Sequence, residues 1–224
     1  MFWLLKVISN AWFILCGMIP YNYNRRKIDV TKSYIITPNH QSFLDAAIVY
    51  TSIPHLFKTL GKKEIEKIPI YGIIYKTVVI TVDRSSMTAK AASFRRMKKE
   101  LEEGISIVLF SEGTFTNEPQ EQLNPFQIGG YSLAIMQQAD ILPILYLDTA
   151  RRLHPSKLLQ ITPGMNRAVF LPPLSASNVQ KQDAERLKNY AQHYMQSCLD
   201  FSRTNQKKEI WNYALSWLQL NPFV

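Results

Sequence analysis

Ser33-Tyr34-Ile35-Ile36-Thr37-Pro38-Asn39-His40-Gln41-Ser42-Phe43-Leu44-Asp45 is the stretch from which the fold can be read. Tyr34, Ile35 and Ile36 make a short apolar, β-branched-rich run of the kind that forms a buried strand. Pro38 has no N–H to donate and biases Thr37 toward extended backbone, so the strand ends there. Ser42 suits an N-cap, and residues 43–51 read as a helix. His40 is therefore expected on a loop at the carboxyl end of a strand, with Asp45 in the first turn of the next helix. That turn can bring the carboxylate under the imidazole. A histidine held by an aspartate is the acid/base half of a triad, with the nucleophile left to an outside alcohol. Asp45 also has a purely structural reading, as a carboxylate favoured at a helix N-terminus.

Upstream, residues 1–19 are apolar, with Phe2, Trp3, Trp12 and Phe13 and a single charge, Lys6. Arg25, Arg26 and Lys27 follow. A secretory signal lacks a small-residue cleavage site here. A transmembrane span is interrupted by Lys6, Ser9 and Asn10 in a run near the lower length limit. The expectation is a helix lying in the membrane interface, held by its aromatics, with the three cations against anionic headgroups. A buried core helix is the alternative.

Downstream, strands are expected at 56–60, 78–82, 105–110 and 141–147. Helices are expected at 62–67, 87–102 and 129–138, with a break and helix restart at 68–72. Gly104 suits the end of the helix at 87–102. Residues 158–162 and 168–171 flank Pro163-Gly164-Met165-Asn166-Arg167 and suggest a hairpin. A long amphipathic helix follows at 175–201, and Trp211, Leu215 and Leu218 fall at helical spacing in 210–220. Alternation of strands and helices predicts an α/β fold: a central sheet covered on both faces. Polar clusters sit just after three strands: Asn39-His40 with Asp45, Asp83-Arg84, and Glu112-Gly113-Thr114. Open α/β sheets bind ligands at that end.

Lys and Arg number 26 against 17 Asp and Glu, a net charge of +9. This suits nucleic acid, anionic lipid or phosphorylated substrates. No aromatic-interleaved basic stripe or reader motif supports the first, so no nucleic-acid partner is expected. Cys16 and Cys198 stand far apart, which argues against a disulfide framework or a cysteine metal site.

Asn39-His40-Gln41-Ser42-Phe43-Leu44-Asp45, Val79-Ile80-Thr81-Val82-Asp83-Arg84, Leu109-Phe110-Ser111-Glu112-Gly113-Thr114 and Ile141-Leu142-Pro143-Ile144 occur in an order and spacing that resemble the four motifs of the glycerolipid acyltransferases. The lysophosphatidic acid acyltransferases typify that family. The resemblance covers roughly residues 30 to 175. It implies a mixed, mostly parallel central sheet flanked by helices, with an N-terminal membrane-associated helix. The chain then reads as three parts: a membrane-associating segment at 1–27, an acyltransferase domain at 28–205 and a C-terminal amphipathic helix at 206–224, the terminal parts matching the family only in character. The resemblance also implies acyl transfer from acyl-CoA or acyl carrier protein to a lysolipid hydroxyl, at the cytoplasmic face of the cell membrane. No cofactor or metal beyond that co-substrate is implied. By the same resemblance His40 is the general base and Asp45 its partner. Asn39, Arg84, Glu112, Gly113, Thr114 and Pro143 are then substrate-binding, with Arg84 on a phosphate and Glu112 open to a loop-holding role.

The sequence departs from the family where Phe115 replaces the usual Arg and Ser111 the usual Pro. Phe126-Gln127-Ile128-Gly129-Gly130 also lacks the family's lysines. Two of these changes remove positive charge from the expected acceptor side. The rival functional readings are a basic nucleic-acid-binding module and a non-catalytic relative. The second predicts decay of the His40–Asp45 pair, which is intact.

Overall fold

The computed structural model describes residues 1–63, 66, 71–82, 87–114, 122–157, 160–204 and 207–223. Among them, seven strands form one sheet: β1 (Met18–Tyr23), β2 (Ile35–Pro38), β3 (Phe57–Lys62), β4 (Val79–Val82), β5 (Ser106–Val108), β6 (Ile141–Tyr146) and β7 (Gly164–Phe170). Their order is β1-β7-β6-β2-β5-β3-β4. All neighbours run parallel except β6 and β7. Ile35–Pro38 thus supply a central strand. The helices are α1 (Phe2–Leu15), α2 (Asp45–Ser52), α3 (Tyr71–Val78), α4 (Met87–Glu102), α5 (Gly129–Gln137), α6 (Thr149–Arg152), α7 (Ala184–Arg203) and α8 (Ile210–Leu220).

Side chains alternate across a strand, and β2 shows the consequence. Ile35 enters the core shared with α4, α5, α7 and α8, whereas Ile36 enters the one shared with α1 and α2. Burial on both faces explains the unbroken apolar runs of β5 and β6. Because β2 to β6 are parallel, their carboxyl ends share one rim. β7 runs antiparallel to β6, so Gly164 starts at that rim, and its parallel partner Met18 starts there too.

Several elements differ from expectation. Among the described residues of 158–171 the expected hairpin is absent. Gly164 to Arg167, read as its turn, belong to β7. Asn166 is buried in that strand, and Arg167 is fixed through its Nε to Asp148 Oδ2 (2.7 Å). Turn-forming residue types were here overridden by parallel pairing with Met18 to Tyr21 of β1. β1 was not foreseen, because Pro20 sits inside it. Proline is tolerated there because β1 is an edge strand. The helix expected from 175 begins at Ala184, after Asn178 takes a left-handed φ of 65° that no helix can carry. In the expected helix at 62–67, Lys62 still belongs to β3, and residues 64, 65 and 67 lie outside the described residues, as do 68–70 of the expected break. α2 starts at Asp45, because the Asp45, Ala46 and Ala47 N–H groups make tighter i−3 bonds to Ser42, Phe43 and Leu44.

Candidate active site

Asn39 is fully buried, and its side chain continues the sheet where Pro38 cannot. Its Nδ2 donates to the Tyr146 carbonyl (3.1 Å), and its Oδ1 accepts the Tyr146 N–H (2.6 Å). The amide acts as one extra peptide rung between β2 and β6 and fixes how the chain leaves the strand. It therefore lies inside the loop rather than on a substrate-facing wall.

His40 comes next, its ring stacked on Phe110 with centroids 4.1 Å apart and an interplanar angle of 20°. Its Nδ1 lies 2.9 Å from Asp45 Oδ2, and its side chain is 16% exposed while that of Asp45 is 0% exposed. The same oxygen accepts the Gln41 N–H (2.6 Å) and the Ser42 N–H (2.9 Å). Burying a carboxylate is costly unless donors surround it. Here the loop turns its own N–H groups onto Asp45, so the charge is held without a cation. The five-residue spacing makes this possible, since one tight turn returns the chain. Ser42 anchors that turn, its hydroxyl donating to the Leu153 carbonyl (2.6 Å) and accepting the Leu44 N–H (3.2 Å).

Glu112 sits on the turn after β5 and points inward, buried. Its Oε1 accepts the His40 backbone N–H (2.7 Å), and its Oε2 accepts the Asn124 N–H and Nδ2 (both 2.9 Å). Burial pushes its carboxyl pKa up, against the pull of these donors. Both oxygens accept from the protein, so Glu112 ties the His40 backbone to Asn124. Gly113 has φ +71°, a conformation that favours glycine, and a Cβ there would meet Gln127 Cγ at 3.2 Å. Thr114 is exposed beside it at the rim. Pro143 lies buried within β6 opposite Thr37, several residues short of the strand's end, so it shapes the sheet rather than the site. Asp83, Arg84 and Phe115 lie outside the described residues; β4 delivers the chain to the same rim at Val82.

The structure brings His40, Asp45 and Glu112 together, and adds Phe110 and Asn124 as partners that no sequence pattern singled out. Neither carries a chemical signature, and Asn124 belongs to an unpatterned loop. Among the described residues, no group of three or more His, Cys, Asp or Glu side chains could hold a metal ion. An imidazole whose Nδ1 is bound to a buried carboxylate presents its Nε2 as a base.

A family model described as Acyltransferase matches residues 21–147, more than half of the chain. The chain belongs to this acyltransferase family. It is 29% identical over 170 residues to the 1-acyl-sn-glycerol-3-phosphate acyltransferase of Helicobacter pylori, covering 73% of this chain and 71% of that one. To an uncharacterized acyltransferase of Schizosaccharomyces pombe it is 34% identical over 131 residues, 55% of this chain and 45% of the relative. The fold matches the crystal structure of the 1-acyl-sn-glycerophosphate acyltransferase PlsC of Thermotoga maritima, with a TM-score of 0.74 at 17% identity, over 91% of this chain and 80% of that one.

Proposed function

We propose that this chain moves a fatty acyl group from acyl-CoA or acyl carrier protein to the free hydroxyl of a lysolipid, with 1-acyl-sn-glycerol-3-phosphate as acceptor and phosphatidic acid as product. The observation that carries the reading is the His40 Nδ1–Asp45 Oδ2 contact of 2.9 Å, made on a strand-end loop by a carboxylate that three donors hold in place. His40 Nε2 takes the proton of the acceptor hydroxyl as its oxygen attacks the thioester carbonyl. The C–S bond then breaks, and the departing thiolate recovers that proton from the imidazolium. Asp45 fixes the tautomer and stabilises the charged ring. The donor is a co-substrate, and the scheme requires no cofactor. Arg84, two residues past β4, is the proposed phosphate partner of the acceptor, in a role suited to a planar fork. The names of the relatives support the choice of acceptor. Phe115 in place of Arg favours a second reading, a lysolipid with a less charged head.

The reaction is proposed to occur at a membrane surface. On α1, Trp3, Leu4, Val7, Ile8, Ile14 and Leu15 face outward, the last two at 71% and 85% exposure. Among the described residues, no helix is long and apolar enough to cross a membrane. With 14 residues, α1 is about 21 Å long, which suits lying on the bilayer.

The test is purified protein offered labelled acyl-CoA and acyl carrier protein separately, with a panel of lysolipid acceptors. Transfer is expected with 1-acyl-sn-glycerol-3-phosphate, and His40→Ala should reduce turnover by about 10³-fold. Near-normal turnover in that variant, or no transfer to any lysolipid, would overturn the reading.

A further inference from the structure

Residues 122–127 carry no acid, base or nucleophile, yet they join a helix on the far side of the core to the catalytic loop. On α7, Gln192 and Gln196 lie four residues apart and so share a face. Gln192 Oε1 accepts the Phe126 N–H (3.1 Å), and Gln196 Oε1 accepts the Leu123 N–H (2.8 Å). Gln196 Nε2 donates to Asp200 Oδ1 (3.0 Å), which sets the direction of that amide. Leu123 and Phe126 bury their side chains in the core that α7 shares, and the Gln127 N–H donates to the Ser111 carbonyl (2.7 Å). A segment without regular structure is thus fixed at both ends. Asn124, held between them, spends its backbone N–H and its Nδ2 on Glu112 Oε2, while Glu112 Oε1 takes the His40 N–H.

We propose that Asn124 is a positioning residue for catalysis: with Glu112 it forms a strut through which α7 sets the place of the His40 imidazole. The proposal rests on the reading of His40 as general base. Its physical basis is the burial of the Glu112 carboxylate. With its charge out of water, the carboxylate goes where its donors are, and one of its oxygens is tied to the backbone of the base. Removing the Nδ2 donor leaves Oε2 with one donor, and the carboxylate relaxes, taking the His40 N–H with it. Displacing a catalytic group by as little as about 1 Å can lower a rate by about 10²-fold. Neither Asn124 nor Glu112 offers its side chain to an acceptor, so the loss falls on kcat and spares KM.

The experiment uses the full chain with 1-acyl-sn-glycerol-3-phosphate and the donor that supports transfer, comparing wild type with Asn124→Ala, Asn124→Asp, Glu112→Gln and His40→Ala. Asn124→Ala should lower kcat about tenfold and change KM less than about twofold. Glu112→Gln should lower kcat further, because its new amide must point a donor at another donor. Asn124→Asp supplies the most specific signature. Two carboxylates forced together raise the pKa of one of them, and the protonated form donates as the amide did. The kcat of that variant relative to wild type should therefore rise as the pH falls from about 8 to about 6. A purely structural role would give a flat ratio. Should Asn124→Ala fail to fold, Asn124→Ser, with a shorter donor, carries the kcat comparison. An unchanged kcat in the alanine or serine variant, or a flat pH ratio for Asn124→Asp, overturns the strut. Full activity in His40→Ala would instead overturn the general-base reading, so the two failures are distinguishable.

Discussion

The rim that carries His40 and the outer face of α1 treat polarity in opposite ways. At the rim two carboxylates are hidden: Asp45 is fully buried and Glu112 nearly so, each held by N–H donors from its own or a neighbouring loop. On α1 one face, Phe13 included, is buried, the apolar stripe Trp3, Leu4, Val7, Ile8, Ile14 and Leu15 lies outside, and Lys6 turns inward to donate to the Ile53 carbonyl (2.9 Å). The difference teaches that burial follows the partner available rather than the polarity of the residue. A carboxylate can be buried where the backbone turns its donors onto it. An exposed apolar stripe marks a surface for an apolar partner, which the proposed membrane contact would supply.

The rim half of the comparison breaks most visibly at Asp45. Asp45→Asn keeps the shape but removes the charge that steadies the imidazolium, so turnover should fall by about 10³-fold with KM little changed. Steady-state kinetics check this, and a loss below about tenfold would demote Asp45 to a helix-end carboxylate. The α1 half is tested next. Val7→Glu with Ile14→Glu places charge on the outward stripe and should weaken sedimentation with vesicles of mixed neutral and anionic lipid by tenfold or more, on the order of a few kcal/mol for two apolar side chains. Equal sedimentation of variant and wild type would remove the membrane from the proposal.

The smallest expected effect sharpens the seam beneath α1. His55 Nε2 lies 2.8 Å from Ser106 Oγ, and burial, with Lys6 nearby, pushes its pKa below the usual 6.5. The folded state thus resists a proton that the unfolded chain accepts. Stability from this group is complete above pH 6.5 and is lost as the pH falls from there toward the depressed folded value. Thermal midpoints measured across that window should decline less in His55→Gln than in wild type. An identical decline would place the acid sensitivity elsewhere.

Local stereochemistry made much of the site legible. Pro38 ended the strand, and the five-residue interval carried Asp45 back to His40 through a single turn. The Gly113 turn, with its φ of +71°, put Glu112 at a strand end. What escaped was decided at long range. Asn39 reads as a substrate contact until Tyr146, 107 residues away, is seen to occupy both ends of its amide. Gly164 to Arg167 read as a turn until Met18 to Tyr21 of β1, nearly 150 residues away, are seen to pair with them.

The sequence by itself determined the α/β class, the strand–loop–helix that carries His40, and the contact of Asp45 with its ring, because each depends on bonds between residues a few positions apart. Only the tertiary structure decided which face of α1 turns outward, that Pro20 lies in an edge strand, and that Glu112 spends itself on His40 and Asn124. Those outcomes depend on which distant segment supplies a hydrogen-bond partner or a packing surface, and no local pattern in the chain encodes that choice.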